Sequence, residues 1–189
     1  MALAAALAEA GAAVTLVART ASEIDTAAVA MGGTAAVLDV TEADYDTVLD
    51  LNVKSAFFVA QACVRGMLAA GSGGSLIHIG SQMGHVGGPN RCLYCASKSG
   101  LEGMSKAFAL DLAAHGIRSN TIAPTFIETL LTMPYFADAH FKASVLEKIK
   151  LGRLGKVQDM MGAVVYLASD ASALVTGTSL FVDGGWTAD

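Results

Sequence analysis

Ser81, Tyr94 and Lys98 are the residues of this chain best equipped for chemistry, the last two in the run Tyr94-Cys95-Ala96-Ser97-Lys98. Residues at i and i+4 of a helix share one face, with about 5–6 Å between their Cβ atoms. An ammonium held that close favours the phenolate and lowers the tyrosine pKa. Bringing a phenol from near 10 to about 7 takes roughly 4 kcal/mol, which a cation in a dry site can supply. The product is a proton donor and acceptor usable at neutral pH. A facing serine hydroxyl could hold a carbonyl or alcohol oxygen.

Y-x-x-x-K alone is a common coincidence, so its weight comes from the helix around it. Steps of three and four from Tyr94 reach Lys98, Leu101, Ser105, Phe108 and Leu112, one stripe at helical period. The second half of the stripe is apolar and reads as core-facing. A lysine rarely lies on such a stripe without a partner or a task. Asn52 is a second oddity, on the stripe Val48, Ser55, Val59, Ala62. It reads as a functional amide, a satisfied buried amide or the mark of a kink.

The elements that must position these residues alternate. Helical segments are expected at Met1–Ala10, Ser22–Met31, Glu42 to about Ala70 (capped by Thr41), Leu93–His115, near Phe141–Lys150, and Val157–Ala168. Short apolar strands are expected at Ala12–Ala18, Thr34–Leu38, Ser75–Ile79, Ile117–Ala123 and Thr178–Val182. Continuously apolar strands between helices predict an α/β fold with a parallel sheet covered on both faces. Residues 1–189 read as a single domain with an excursion at about 125–150. In such sheets ligands bind beyond the carboxyl ends of the strands. Arg19, Ser81 and the segment Pro124–Thr129 fall there.

Composition narrows the function. A net charge of −5, with no run of Lys or Arg, argues against a nucleic-acid or polyanion binder. Three cysteines make no disulfide framework, so a reducing, cytoplasmic setting is the simpler reading. Cys92 and Cys95 form C-x-x-C, read as small fillers around Tyr94 rather than a redox pair. The Ala/Leu-rich start lacks a basic n-region and reads as a helix rather than a signal. No apolar run is expected to span a bilayer, and no metal is expected.

The sequence resembles the classical short-chain dehydrogenase/reductase family over nearly its whole length. The resemblance rests on Leu51-Asn52-Val53, Ile77-His78-Ile79-Gly80-Ser81, Tyr94 to Lys98, Ile117 to Pro124, Ile127-Glu128-Thr129, and Gly177-Thr178 to Val182-Asp183-Gly184-Gly185. It implies a doubly wound Rossmann-type fold and hydride transfer between a nicotinamide cofactor and an alcohol or carbonyl. On that pattern Tyr94 is the general acid/base, and Ser81 positions the substrate oxygen. Lys98 lowers the tyrosine pKa and holds the nicotinamide ribose. Asn52 holds a water of the proton relay, and Pro124, Ile127 and Thr129 form the loop at the nicotinamide end. The residue after the second family strand meets the adenine ribose. Here it is Arg19, which either pairs with a 2′-phosphate, favouring NADP over NAD, or is a solvated surface residue. Gln82, His85, Cys92, Met133, Tyr135 and Phe136 are expected at the substrate pocket. They suit a small polyol, sugar acid or cyclic ketone, and the segment Ser81–Lys98 is similar to sugar-acid dehydrogenases of the family. The family's usual dimer faces are the helices Asn52–Ala70 and Leu93–His115, so a homodimer or homotetramer is expected.

Two parts of the family pattern are missing: the opening T-G-x-x-x-G-x-G turn and the N-N-A-G segment. Gly71-Ser72-Gly73-Gly74 follows a helix and precedes a strand, the wrong order for a phosphate loop, and reads as a turn. The sheet is therefore expected to be incomplete, because the two missing strands would be central neighbours and their loss exposes unpaired edges. One expectation is that residues are omitted between Gly32 and Asp44 and before Met1. The other is a truncated chain with an impaired cofactor site. The rival to an enzyme is a non-catalytic relative that serves as an oligomer or interaction subunit.

Overall fold

The computed structural model describes residues 39–188. The helices and strands expected before residue 39, Arg19, and most of the segment from Gly32 to Asp44 lie outside the described residues.

A long helical rod comes first, made of α1 (Glu42–Leu49), a π-turn (Asp50–Lys54) and α2 (Ser55–Ala70). Thr41 starts it with a capping box. Its Oγ1 accepts from the Asp44 N–H at 3.2 Å, and Asp44 Oδ2 accepts from the Thr41 N–H at 3.0 Å. Gly71 ends it in the left-handed conformation at φ 62°. The π-turn corrects the expected stripe. A wider turn takes up extra residue length and rotates everything after it. The buried face therefore runs through Val48 and then Ala60 and Val64, while Ala62 is exposed. Asn52 sits inside that turn.

Among the described residues three strands form one parallel sheet in the order β1 (Gly74–Ile79), β2 (Ile117–Pro124), β3 (Ser179–Val182). The β1–β2 register runs from Gly74 opposite Ile117 to Ile79 opposite Ile122. Between them lies α3 (Cys92–Leu112), continued by a 3-10 turn at Ala113–His115 and closed by Gly116 at φ 66°. The excursion after β2 holds a 3-10 turn (Met133–Ala137) and α4 (Ala139–Lys148), and α5 (Val157–Ala168) precedes β3.

Strand alternation sends apolar side chains to both faces. On one face Leu76 and Ile117 pack with Ala60 and Val64 of α2 and Leu112 of α3. On the other, Ile77, Ile122 and Leu180 pack with Met160, Val164 and Leu167 of α5. Ile122 and Leu167 are fully buried, each worth about 1.5–3 kcal/mol of transfer energy. A third cluster, built on Phe136, Val145, Ile149 and Leu154 with Phe126, Phe141 and Trp186 against it, folds the excursion onto the chain's end.

The rod Glu42–Ala70 is 29 residues long and, by length and composition alone, apolar enough to cross a membrane. This corrects the expectation that no segment qualifies. Polar residues such as Asn52 and Arg65 break the apolar run in sequence without lowering its mean enough. The rod's inner face nonetheless packs on the sheet through Ala60 and Val64.

β2 is polar where a buried strand is usually apolar, and its polar groups are all in use. Asn120 is fully buried; its Nδ2 donates to Val175 O at 2.8 Å and its Oδ1 accepts from the Thr178 N–H at 3.1 Å. Arg118 donates to Ser172 Oγ at 2.9 Å and Ser169 O at 3.3 Å. These bonds pin the loop leading into β3. Asn120→Ala strands one carbonyl and one N–H, so it should cost about 2–4 kcal/mol. Urea unfolding measures this, and a loss below about 0.5 kcal/mol would show that water replaces both bonds.

Candidate active site

β1 delivers Ser81 two residues beyond its end, as the N-cap of a 3-10 turn at Gln82–Gly84. The Ser81 hydroxyl is tightly directed. Its Oγ accepts from the Met83 N–H at 3.1 Å and donates to Gln82 Oε1 at 2.8 Å. Gln82 is itself buried, and its Nε2 donates to Thr125 Oγ1 at 3.3 Å, just past β2. Gln82 thus aims Ser81 as well as lining the site.

α3 delivers Tyr94 and Lys98. Tyr94 lines the same cavity as Ser81, and the Ser81 hydroxyl acts to lower its phenol pKa. Lys98 Nζ lies 5.7 Å from the centre of the Tyr94 ring and donates to Ile79 O, the last residue of β1, at 3.1 Å. The three residues singled out in the sequence therefore converge. Asn52 joins them at one remove: its Nδ2 donates to Ser97 Oγ at 3.0 Å, and Ser97 Oγ donates to Tyr94 O at 2.8 Å.

The electrostatics differ from the expected strong lowering of the phenol. Burial leads at both groups. It pushes the Tyr94 phenol above its ordinary value, against the Ser81 hydroxyl and the Arg91 charge, which pull it down. It also lowers Lys98 to about 8, with the Glu102 carboxylate working in the opposite direction. Desolvation disfavours the charged form of each, whichever sign that charge carries. Tyr94 in this arrangement is a protonated donor at neutral pH.

One turn beyond Lys98, Glu102 is buried beneath the site. Its Oε2 accepts from Thr121 Oγ1 of β2 at 2.6 Å and Ser179 Oγ of β3 at 2.5 Å. Its Oε1 lies 3.5 Å from His85 Nε2 and so close to Gly80 that a Cβ there would sit 2.4 Å away.

A cavity of about 360 Å³ opens over these groups. Ser81, Gln82, Arg91, Tyr94 and Lys98 line one side, and Pro124, Thr125, Ile127, Thr129, Thr132 and Tyr135 line the other. Thr132 stiffens the second side, its Oγ1 accepting from the Thr129 N–H at 2.9 Å and donating to Ile127 O at 2.5 Å.

Four expected pocket residues lie elsewhere. The His85 ring packs on Phe181, 4.6 Å between centres, and its Nε2 faces Glu102. Phe136 is buried in the aromatic cluster, and Met133 and Cys92 are exposed. Each is near the site in sequence, but His85 closes a 3-10 turn, Met133 and Phe136 lie in another, and Cys92 begins α3 as an exposed residue. Arg91, Thr125 and Glu102 were missed. Arg91 and Glu102 had a readable signal, lying at helical spacing from Tyr94 and Lys98.

With this geometry in view, comparisons with known proteins are specific. The family model described as enoyl-(acyl carrier protein) reductase matches residues 8–187. A 2-dehydro-3-deoxy-D-gluconate 5-dehydrogenase of Escherichia coli is 42% identical over 151 residues, which are 80% of this chain and 60% of that protein. The L-xylulose reductase of Bos taurus is 32% identical over 80% of this chain and 62% of its own length. The crystal structure of a gluconate 5-dehydrogenase from Burkholderia cenocepacia, in complex with NADP and tartrate, superposes with a TM-score of 0.79 at 35% identity, over 82% of this chain and 60% of that one. The chain spans about three fifths of the length of these curated relatives. The match along residues 8–187, the doubly wound α/β architecture shared with these structures, and the meeting of Ser81, Tyr94 and Lys98 lead to one conclusion: the chain belongs to the short-chain dehydrogenase/reductase family.

Proposed function

We propose that the protein is an NADP-dependent oxidoreductase that interconverts a hydroxyl and a carbonyl on a small sugar acid or polyol. The observation that carries this reading is the convergence of Ser81, Tyr94 and Lys98 on one cavity beyond the ends of β1 and β2. Names of relatives support it: gluconate-type dehydrogenases and xylulose reductases, with NADP in a similar crystal structure.

The cavity suits the nicotinamide end of the cofactor. Pro124 and Ile127 give it an apolar wall, and the Thr129 hydroxyl and Lys98 ammonium are donors beside that wall. Lys98, Tyr94, Pro124, Ile127 and Thr129 would hold that end, and Arg19, outside the described residues, would pair with a 2′-phosphate. When bound, the nicotinamide supplies the hydride donor or acceptor. The protein's own residues handle the oxygen and its proton. Ser81 Oγ holds the substrate oxygen; the protonated Tyr94 hydroxyl gives its proton to a carbonyl oxygen, and in the reverse direction the Tyr94 phenolate takes one from an alcohol. Lys98 stabilises that phenolate. Asn52 fixes the first turn of α3 through Ser97 and so holds Tyr94 on station.

The same reading includes a homodimer or homotetramer through the outer faces of α2 and α3. Phe58 and Leu110 on those faces are 56% and 82% exposed, more than a lone surface helix needs. A cytoplasmic setting fits the free thiols Cys63, Cys92 and Cys95.

Tyr94→Phe in the full-length protein should cut kcat by about 10²–10⁴ in a nicotinamide absorbance assay. A variant keeping full rate would return the non-catalytic reading. Lys98 also sets a pH dependence of stability. Below about 8 it is charged in both folded and unfolded chains, and the folded form carries the whole burial cost. Between about 8 and its ordinary 10.5 the unfolded chain binds a proton that the folded chain lacks, so stability rises with pH. Lys98→Met without cofactor should therefore raise Tm at neutral pH, with the gain shrinking as pH climbs through that window. A Tm difference that does not change with pH would refute it. For assembly, Phe58→Glu with Leu110→Glu should convert the oligomer to monomer by light scattering, and an unchanged mass would place the interface elsewhere.

A further inference from the structure

Among the described residues the cavity is electrostatically one-sided: two cationic side chains line it, Arg91 and Lys98, and no described Asp or Glu does. A low-dielectric cleft lined by one sign of charge favours ligands of the other sign. The two cations are not equivalent. Lys98 lies one turn below Tyr94, and its Nζ donates to Ile79 O at 3.1 Å. Arg91 stands three residues before Tyr94, at the N-cap of α3, and lines the same cavity as Ser81. Its stem is held against the loop after Ser81, where a Cβ added to Gly88 would meet Arg91 Cγ at 3.3 Å. Its charge reaches the Tyr94 hydroxyl. A guanidinium presents a planar fork that matches a carboxylate in two parallel hydrogen bonds. Neutral polar groups, Thr125, Thr132 and Tyr135, complete the lining and suit hydroxyl-bearing carbons. The volume of about 360 Å³ lies at the small end for ligand pockets, about 300–1,000 Å³.

We infer that Arg91 pairs with a carboxylate of the substrate, which makes the substrate a sugar acid and not a neutral polyol or cyclic ketone. This rests on the dehydrogenase reading above. It assigns Arg91 as a specificity-determining residue and divides the site: Ser81 and Tyr94 hold the reacting oxygen, Arg91 holds the acid end, and Lys98 serves the tyrosine. The same fork would also accept a phosphate of the cofactor, so the test must separate the two anions.

The experiment uses the full-length protein with NADP and NAD. Five- and six-carbon sugar acids are each compared with the alditol or ketose of the same carbon skeleton, in the parent, Arg91→Gln and Arg91→Lys. The parent should prefer the best acid over its neutral counterpart by about tenfold or more in kcat/KM. Arg91→Gln should reduce that ratio by about tenfold to a hundredfold, chiefly through KM for the acid, and Arg91→Lys should recover part of it. Any general effect of the substitution on folding or on Tyr94 cancels in the ratio. A neutral best substrate, or an equal fall for acid and neutral substrates, would overturn the inference while leaving the dehydrogenase reading intact. A rise confined to the KM for NADP would also overturn it and place the guanidinium on the cofactor. Turnover of no substrate with either cofactor would remove the dehydrogenase reading and this inference together.

Discussion

A single buried carboxylate sets the helix that carries the site against the sheet that faces it. Glu102 takes hydroxyl hydrogen bonds from Thr121 on β2 and Ser179 on β3, and its other oxygen presses on Gly80 at the end of β1. A buried polar group must keep its hydrogen-bond partners, since leaving one unmade costs its full desolvation penalty. α3 is thereby held in one position along three strands. Lys98 is one turn above Glu102, and Tyr94 is one turn above that. Ser81 follows Gly80 directly. The distances among the three active groups follow from where Glu102 is anchored.

Burial does two opposed things at this site. It gives the hydrogen bonds around Ser81 and Tyr94 their direction and strength. It also resists charge, raising the phenol and lowering the lysine. A protonated Tyr94 with a cation beside it is a donor awaiting an oxygen. Ser81 and Arg91 pull the phenol down against that burial, and Lys98 lies 5.7 Å from the centre of its ring. Asn52 lies in the π-turn, and its amide donates to Ser97 Oγ on α3.

The remaining layers serve this frame. α5 buries the far face of the sheet through Met160, Val164 and Leu167. The excursion after β2 returns over the strand ends, tied down by its aromatic cluster and by the hydrogen bonds from Thr132. This makes a flat crevice into a bounded cavity, with apolar wall and cationic floor on different elements.

Much of this was legible in the sequence, because the signals were local. α5 spans Val157–Ala168 as expected from its spacing, and the strands at β1, β2 and β3 begin or end within one residue of their expected limits. Apolar runs between glycines, a Thr-x-x-Asp cap and left-handed glycine stops depend only on neighbours in the chain. Tyr94, Lys98 and Ser81 were visible for the same reason: helical spacing and a strand end fix where each side chain emerges. The tertiary structure decided what periodicity cannot carry. The π-turn shifted the buried face of α2, and its Asn52 bonds to Ser97 of α3, a partner distant in sequence. His85 and Phe136 pack away from the cavity, on Phe181 and in the aromatic cluster, because their orientation is set by packing partners distant in sequence. Burial at Tyr94 and Lys98 outweighed their mutual spacing, because desolvation is the sum of everything packed around a group. Glu102 met its partners on β2 and β3, and Arg91 came to line the cavity, only through the packing of elements distant in sequence.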